Sequence, residues 1–348
     1  MAYYGPFPGK IAGRYVSTRE GLQCGMDRRV APALLAGISA CGLPAGAVFT
    51  AEAPGRRLDA PPRATYGDER GGWAYCGAWG DYGGVAVGRH WFLTARHVGG
   101  HIGGVFVFQG KEYRAVARTE LGDADLVLWQ VDGDLPTWAP LHSGLAGTRL
   151  RAVVVGRGLA PGAPVMASGR RVGWTWGRMD GRTSWGDADL VGRSTLPGGE
   201  VVLVGAFTRN GCALATGDSG GGVFVREQGR WALAGICRST QRTWRKEDGS
   251  GSPLAASLLD SRGYVPEGDA TGAPGTAPTR AGGAPTLWSA SRVSDHAVRI
   301  RAVVDGRPGP DWHRILTALG AAAVFGALTV LRWIWRVARD ARDANGRG

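Results

Sequence analysis

Between residues 71 and 259 the chain runs in short apolar or alternating stretches separated by Gly, Asp and Pro. They fall at 73–79, 84–98, 105–109, 112–117 and 125–131, and after a break resume at 150–155, 171–176, 201–207, 223–226, 231–237 and 254–258. Many short strands with turn signals and almost no helical period predict an all-β fold, a sandwich or a barrel. The break, at 132–147, divides the strands into two halves of comparable size.

The flanks have a different texture. Residues 1–65 form a Pro/Gly-rich extension with little periodicity, and residues 263–285 form a flexible linker rich in Pro, Gly, Ala and Thr. Residues 286–311 read as a juxtamembrane segment, in which the alternation over Ala297–Val304 predicts one strand. Residues 315–331 carry no charge, Trp312, Trp333 and Trp335 flank them, and Arg332, Arg336, Arg339 and Arg342 follow. Interfacial aromatics and snorkelling arginines predict a transmembrane helix over 312–337, then a basic tail over 338–348. The alternatives are an amphipathic interfacial helix or a helix packed on the domain. No apolar segment starts at Met1, and a leader-like run from Met26 is interrupted by Pro32 and Gly37, so no secretory signal is expected.

Charge and cysteine usage narrow the partners. The formal charge is +12, but the arginines are scattered, with no basic block interleaved with aromatics. A solvated surface is the expectation, not specific nucleic-acid binding. Five cysteines (Cys24, Cys41, Cys76, Cys212 and Cys237) show no regular spacing and no CxxC pair, so neither a disulfide framework nor a metal site is expected. Buried thiols in a reducing compartment fit this count.

The chemistry centres on Gly217-Asp218-Ser219-Gly220-Gly221. A serine hydroxyl needs a base for its proton and donors for the oxyanion formed on attack. Glycines on both sides allow a turn sharp enough for the N–H groups of Gly217 and Ser219 to serve as those donors. Upstream, an apolar strand runs into Thr94-Ala95-Arg96-His97, which puts an imidazole at a strand mouth; His90 and His101 are nearby competitors. Asp125 directly precedes the apolar run that begins Leu126-Val127-Leu128, where a carboxylate can be buried behind the imidazole; Asp123 is its competitor. The order is His97, Asp125, Ser219.

On these motifs the segment from about 71 to 260 resembles the chymotrypsin/trypsin-like serine proteases. Leu93-Thr94-Ala95-Arg96-His97, Asp125-Leu126-Val127-Leu128 and Gly217-Asp218-Ser219-Gly220-Gly221 carry the resemblance, and Trp231-Ala232-Leu233-Ala234-Gly235-Ile236 is similar to the strand lining the family's substrate cleft. The resemblance implies two antiparallel β-barrels, about 70–135 and 148–260, in a domain over 66–262. It implies His97 as general base, Asp125 as its orienter, Ser219 as nucleophile, and Gly217 with Ser219 as oxyanion hole. It also implies a substrate pocket at Ala213, Leu214, Cys237 and Arg238, small and apolar, suited to a small or medium uncharged side chain before the cut. No metal or organic cofactor is implied. Val98, Ala215 and Arg238 depart from the secreted members, and Asp218 lacks an evident partner. Arg238 and the sparse cysteines are similar to virus-encoded polyprotein proteases, which makes a polypeptide, self-cleavage included, the expected substrate.

Other readings are a cellular membrane-anchored trypsin-like protease, an inactive protease-fold scaffold, and an α/β-hydrolase. The last needs a histidine after the serine, which leaves only His296 or His313, and alternating strands and helices. For topology, the absent signal places the catalytic domain in the cytosol at a membrane, whereas the arginines at 332–347 favour the opposite orientation. The expectation follows the cysteines and the missing signal: a membrane-associated chain with a cytosolic protease domain.

Overall fold

The structure, a computed structural model, describes residues 48–50, 70–144, 150–241, 243–267 and 283–306. The strands in chain order are β1 (Phe49–Thr50), β2 (Cys76–Trp79), β3 (Tyr82–Gly88), β4 (Trp91–Ala95), β5 (Val105–Phe108), β6 (Lys111–Glu120) and β7 (Leu126–Val131). Then come β8 (Leu150–Gly156), β9 (Leu159–Ala167), β10 (Arg170–Met179), β11 (Ser184–Thr195), β12 (Val201–Ala206) and β13 (Cys212–Ala213). The series ends with β14 (Gly222–Glu227), β15 (Arg230–Thr240), β16 (Thr243–Lys246), β17 (Leu254–Leu258), β18 (Tyr264–Pro266) and β19 (Leu287–Arg292), followed by helix α1 (Ala297–Val304). Two closed six-stranded antiparallel barrels result, in the orders β2-β3-β4-β7-β6-β5 and β11-β12-β19-β15-β14-β8. This architecture is compatible with a chymotrypsin-like fold.

Local chemistry sets the hairpins. Gln109-Gly110, Ser168-Gly169 and Gln228-Gly229 each join two strands as a two-residue loop with both residues at positive φ, the turn whose twist matches the flanking strands. Burial on both faces explains why several strands read as continuous apolar runs rather than alternations. In β7, Val127, Trp129 and Val131 point into the first barrel, while Leu126 and Leu128 point into the cluster between the barrels. The same division recurs in β8, where Ala152 and Val154 fill the second barrel and Val153 and Val155 face the first. The first barrel's core is aromatic, with Phe92 stacked on Phe106 at 4.0 Å between centroids. Each fully buried ring contributes roughly 1.5–3 kcal/mol.

The structure corrects four expectations. The second barrel does not end near 260: its closing strand is β19, beyond the linker, because β12 and β15 each need a partner along their free edges and β19 supplies both. Residues 286–306, the described part of the 286–311 segment expected as juxtamembrane, therefore contribute to the barrel domain rather than standing apart. The strand expected at Ala297–Val304 is a helix: Val298, Ile300, Ala302 and Val304 alternate, but Ala297, Ile300 and Val304 share one helical face, on which Ala297 and Ile300 are buried and Val304 abuts Gly88 of the first barrel. Nor does 148–260 form barrel alone, because β9, β10, β16 and β17 join β18 in a separate five-stranded sheet over Trp244 and Leu258. Finally, the 1–65 extension is not wholly apart: Phe49–Thr50 pairs with β13, and the Val48 amide donates to Ser184 Oγ at 2.6 Å. Among the described residues no helix is long and apolar enough to cross a membrane. The segments expected as transmembrane helix (312–337) and basic tail (338–348) lie outside the described residues, as do most of the linker and of the extension.

Candidate active site

The register of β4 against β7 builds the first half of the site. The ladder ends at Ala95↔Leu126, and one step beyond it the Arg96 amide donates to the Asp125 carbonyl at 3.2 Å. The chain then tightens into a 3₁₀ turn over Arg96–Val98, which carries His97 over the Asp125 carboxylate. Asp125 Oδ1 accepts the His97 backbone N–H at 2.9 Å, and Oδ2 lies 2.6 Å from His97 Nδ1. A carboxylate only accepts, so Nδ1 carries the proton and the Nε2 lone pair is free for a donor. That donor is Ser219 Oγ, 2.8 Å away. Asp125 is buried, while the His97 side chain is 45% exposed, open to whatever enters from solvent.

Ser219 sits in a turn that both barrels hold. The Gly83 amide of β3 donates to the Ser219 carbonyl at 3.1 Å, and the Gly220 amide donates to the Cys237 carbonyl at 3.0 Å. Gly220 has φ +80, and a Cβ there would lie 2.2 Å from both the Gly83 carbonyl and Thr94 Oγ1, so only glycine fits. Beneath the turn Asp218 is enclosed, its oxygens accepting N–H groups from Gly158 at 2.8 Å and Ala215 at 2.7 Å. Burial pushes its carboxyl up to about 7, against the pull of the Ala215, Gly158 and Arg157 amides. The partner the sequence did not reveal is thus backbone. Among the described residues the N–H groups of Gly217 and Ser219 donate to no protein acceptor.

The site opens into a cleft of about 640 Å³. Of the four residues expected at a substrate pocket, Leu214 and Arg238 line this cleft, whereas Ala213 and Cys237 do not. Those two are wholly buried in the second barrel's core, because the β13 pairing and the inward face of β15 turn them away from solvent. The walls are instead Leu214, Ala215 and Thr216 on one side and Ser239, Thr240 and Thr243 on the other, with Glu267 beyond. Arg238 Nε lies 3.4 Å from Asp125 Oδ2 and 3.7 Å from Glu200 Oε2. Glu200, Thr243 and Glu267 had no sequence signal, since each sits in an ordinary strand or turn context.

The competing side chains lie elsewhere. His90 Nδ1 faces the Gly133 carbonyl and Asp134, and His101 faces the Ile102 carbonyl. Asp123 reaches the cleft wall, but its carbonyl serves the Arg96 guanidinium. Cys76, Cys212 and Cys237 are free, and burial raises all three thiols, so none is a ready nucleophile. Among the described residues no group of three His, Cys, Asp or Glu side chains is arranged to hold a metal ion. No family model and no curated protein matches the sequence.

Proposed function

We propose that the chain is a serine endopeptidase of the chymotrypsin-like type. The observation that carries this reading is the continuous hydrogen-bonded row Ser219–His97–Asp125, at 2.8 Å and 2.6 Å, on the wall of an open cleft. In this reading Ser219 Oγ attacks a substrate carbonyl carbon while its proton passes to His97 Nε2. Asp125 stabilises the imidazolium, and the free N–H groups of Gly217 and Ser219 receive the oxyanion. The imidazolium then protonates the leaving amine, and a water deprotonated by His97 releases the acyl group from Ser219.

A polypeptide substrate is supported by the edge of β15. β14 pairs with β15 only as far as Ile236, and β19 holds the other edge of Ser239 and Thr240. Residues 238–240 line the cleft, and in this reading an extended peptide lies alongside them as an added strand. Leu214, Ala215 and Thr240, rather than Ala213 and Cys237, would then meet the side chain before the cut, a small or medium uncharged one. Polyprotein processing, self-cleavage and attachment to a membrane through residues 312–337, with the catalytic domain cytosolic, extend the same proposal.

The test is fluorophosphonate labelling of the full-length chain in detergent, beside Ser219→Ala and His97→Ala. The reading expects a label on Ser219 that vanishes in the first variant and slows about 10³-fold or more in the second. A peptide library then reports cleavage and its preference. A folded wild-type protein that takes no label at Ser219 would overturn the enzyme reading in favour of a protease-fold binding module.

A further inference from the structure

The cleft holds two charged side chains, Arg238 and Glu200, that the proposed hydrolytic step does not itself use. Arg238 leaves β15 with its Nε 3.4 Å from Asp125 Oδ2, the same oxygen that faces His97 Nδ1, and 3.7 Å from Glu200 Oε2. Glu200 closes the loop between β11 and β12 and is held from the other side by β19, where Ser291 Oγ donates to its Oε1 at 2.7 Å. The side chains of Arg238, Asp125 and Glu200 are 22%, 10% and 14% exposed. Charges this sheltered are screened less by salt and water than pairs on the surface. Along the row the signs alternate: imidazole, carboxylate, guanidinium, carboxylate.

When His97 takes the Ser219 proton, Asp125 must stabilise the new cation. A guanidinium beside the same carboxylate oxygen opposes that, and a second carboxylate on the guanidinium's far side offsets the opposition. We infer that Arg238 and Glu200 act as a counter-charge pair that sets the proton affinity of His97 through Asp125, Arg238 lowering it and Glu200 restoring it. Both are positioning residues in the sense that they act through Asp125, and the assignment rests on the Ser219–His97–Asp125 reading.

The other charges near this row are otherwise engaged. Arg96, on the His97 turn, donates to the Gly122 and Asp123 carbonyls and approaches Glu120. Asp123 stands at the cleft wall, as does Glu267, which pairs with Arg245 on the separate sheet. Asp218 lies below Ser219 among backbone amides, and Tyr82 faces the cleft from the first barrel. His296 lies within electrostatic reach of Glu200 and Arg292; Arg292 is paired with Asp295, and burial lowers the proton affinity of His296.

Two readings of the full-length chain test the pair: the pH dependence of fluorophosphonate labelling, and an NMR titration of the His97 imidazole. Arg238→Gln should move the midpoint of both upward by about half to one pH unit, and Glu200→Gln should move both downward by a similar amount. Arg238→Lys, which keeps the charge, should return the midpoint to within about 0.3 unit of the wild type. A merely structural role would lower the rate at every pH and leave the midpoint in place. Unmoved midpoints, or shifts of the same sign in both charge-removing variants, would overturn the inference. Where Arg238→Gln fails to fold, the downward shift of Glu200→Gln decides alone. The imidazole titration needs no reaction, so opposite shifts there without any Ser219 labelling would defeat the protease reading while leaving the charge coupling intact.

Discussion

The amide of Gly83 donates to the carbonyl of Ser219 at 3.1 Å, so the peptide that carries the proposed nucleophile hangs from the first barrel although its turn belongs to the second. Thr94, wholly buried one turn before His97, reinforces the same point by donating its Oγ1 to the Gly83 carbonyl at 2.7 Å. The imidazole and the hydroxyl are therefore held at their 2.8 Å spacing by a seam between barrels, not by either barrel alone.

Loosening that seam should be graded. Thr94→Val keeps the shape but leaves the Gly83 carbonyl without its donor, a loss of about 1–2 kcal/mol in urea unfolding, with labelling reduced no more than about tenfold. Gly220→Ala puts a methyl group against that carbonyl and Thr94 Oγ1 and forces an L-residue to positive φ. It should cost about 3 kcal/mol or more and abolish labelling. Equal effects from both changes would mean that the seam does not set the geometry.

Asp125→Asn isolates the role of the carboxylate. The acid now accepts from both the His97 backbone N–H and Nδ1. An amide offers one oxygen and one NH₂ group, so it cannot accept at both places and favours the imidazole tautomer with its proton on Nε2. That proton stands where Ser219 needs an acceptor. Labelling should fall about 10³- to 10⁴-fold near neutral pH while the melting temperature stays within a few degrees. A loss of tenfold or less would remove Asp125 from the proposed machinery.

Much of the first barrel could be read from the sequence because its strands are long, apolar and closed by Gly turns, and the proposed chemical row because each member borders such a strand. What escaped notice was hidden by small side chains. β19 carries Ser289 and Ser291 at buried positions, satisfied by Ser239 and Glu200, so a core strand reads as part of a juxtamembrane segment. In β11 the inward positions are Ser184, Gly186, Ala188 and Leu190, and the alternation is masked because three of the four are small. Gly186 has no room for more, since a Cβ there would lie 2.7 Å from Cys212 Cβ. Arg238 was legible as a cleft residue, yet its ion pairs with Asp125 and Glu200 depend on a loop and two strands distant in sequence.

Because β19 closes the second barrel, a chain ending at residue 262 should not fold. It would leave the edges of β12 and β15 unpaired and remove Trp288, Ala290, Val293 and Ile300, all fully buried. Burial of these four side chains is worth on the order of 5–10 kcal/mol, comparable with the whole stability of a domain. The expected result is a truncated chain without a cooperative thermal transition, whereas one ending at residue 306 melts cooperatively. Cooperative melting of both would mean that the remaining five strands close the barrel on their own.

Asp218 gives the site a pH-dependent stability whose sign follows from its burial. Its carboxyl is raised from the ordinary range to about 7, so the fold prefers the protonated form. A group raised in this way contributes stability that is complete below its unfolded value, near 4, and is lost as pH rises through about 7. Asp218→Asn removes that titration, at a cost of about 1–3 kcal/mol because one amide N–H of Ala215 or Gly158 then faces an NH₂ group. Urea unfolding of both proteins from about pH 4 to pH 8 should show the wild type's advantage shrinking by a few kcal/mol and levelling off above about pH 8. An advantage that is flat or grows with pH would mean that the surrounding amides, and not burial, govern this carboxylate, and that the turn under Ser219 is held by an ion at every pH in that range.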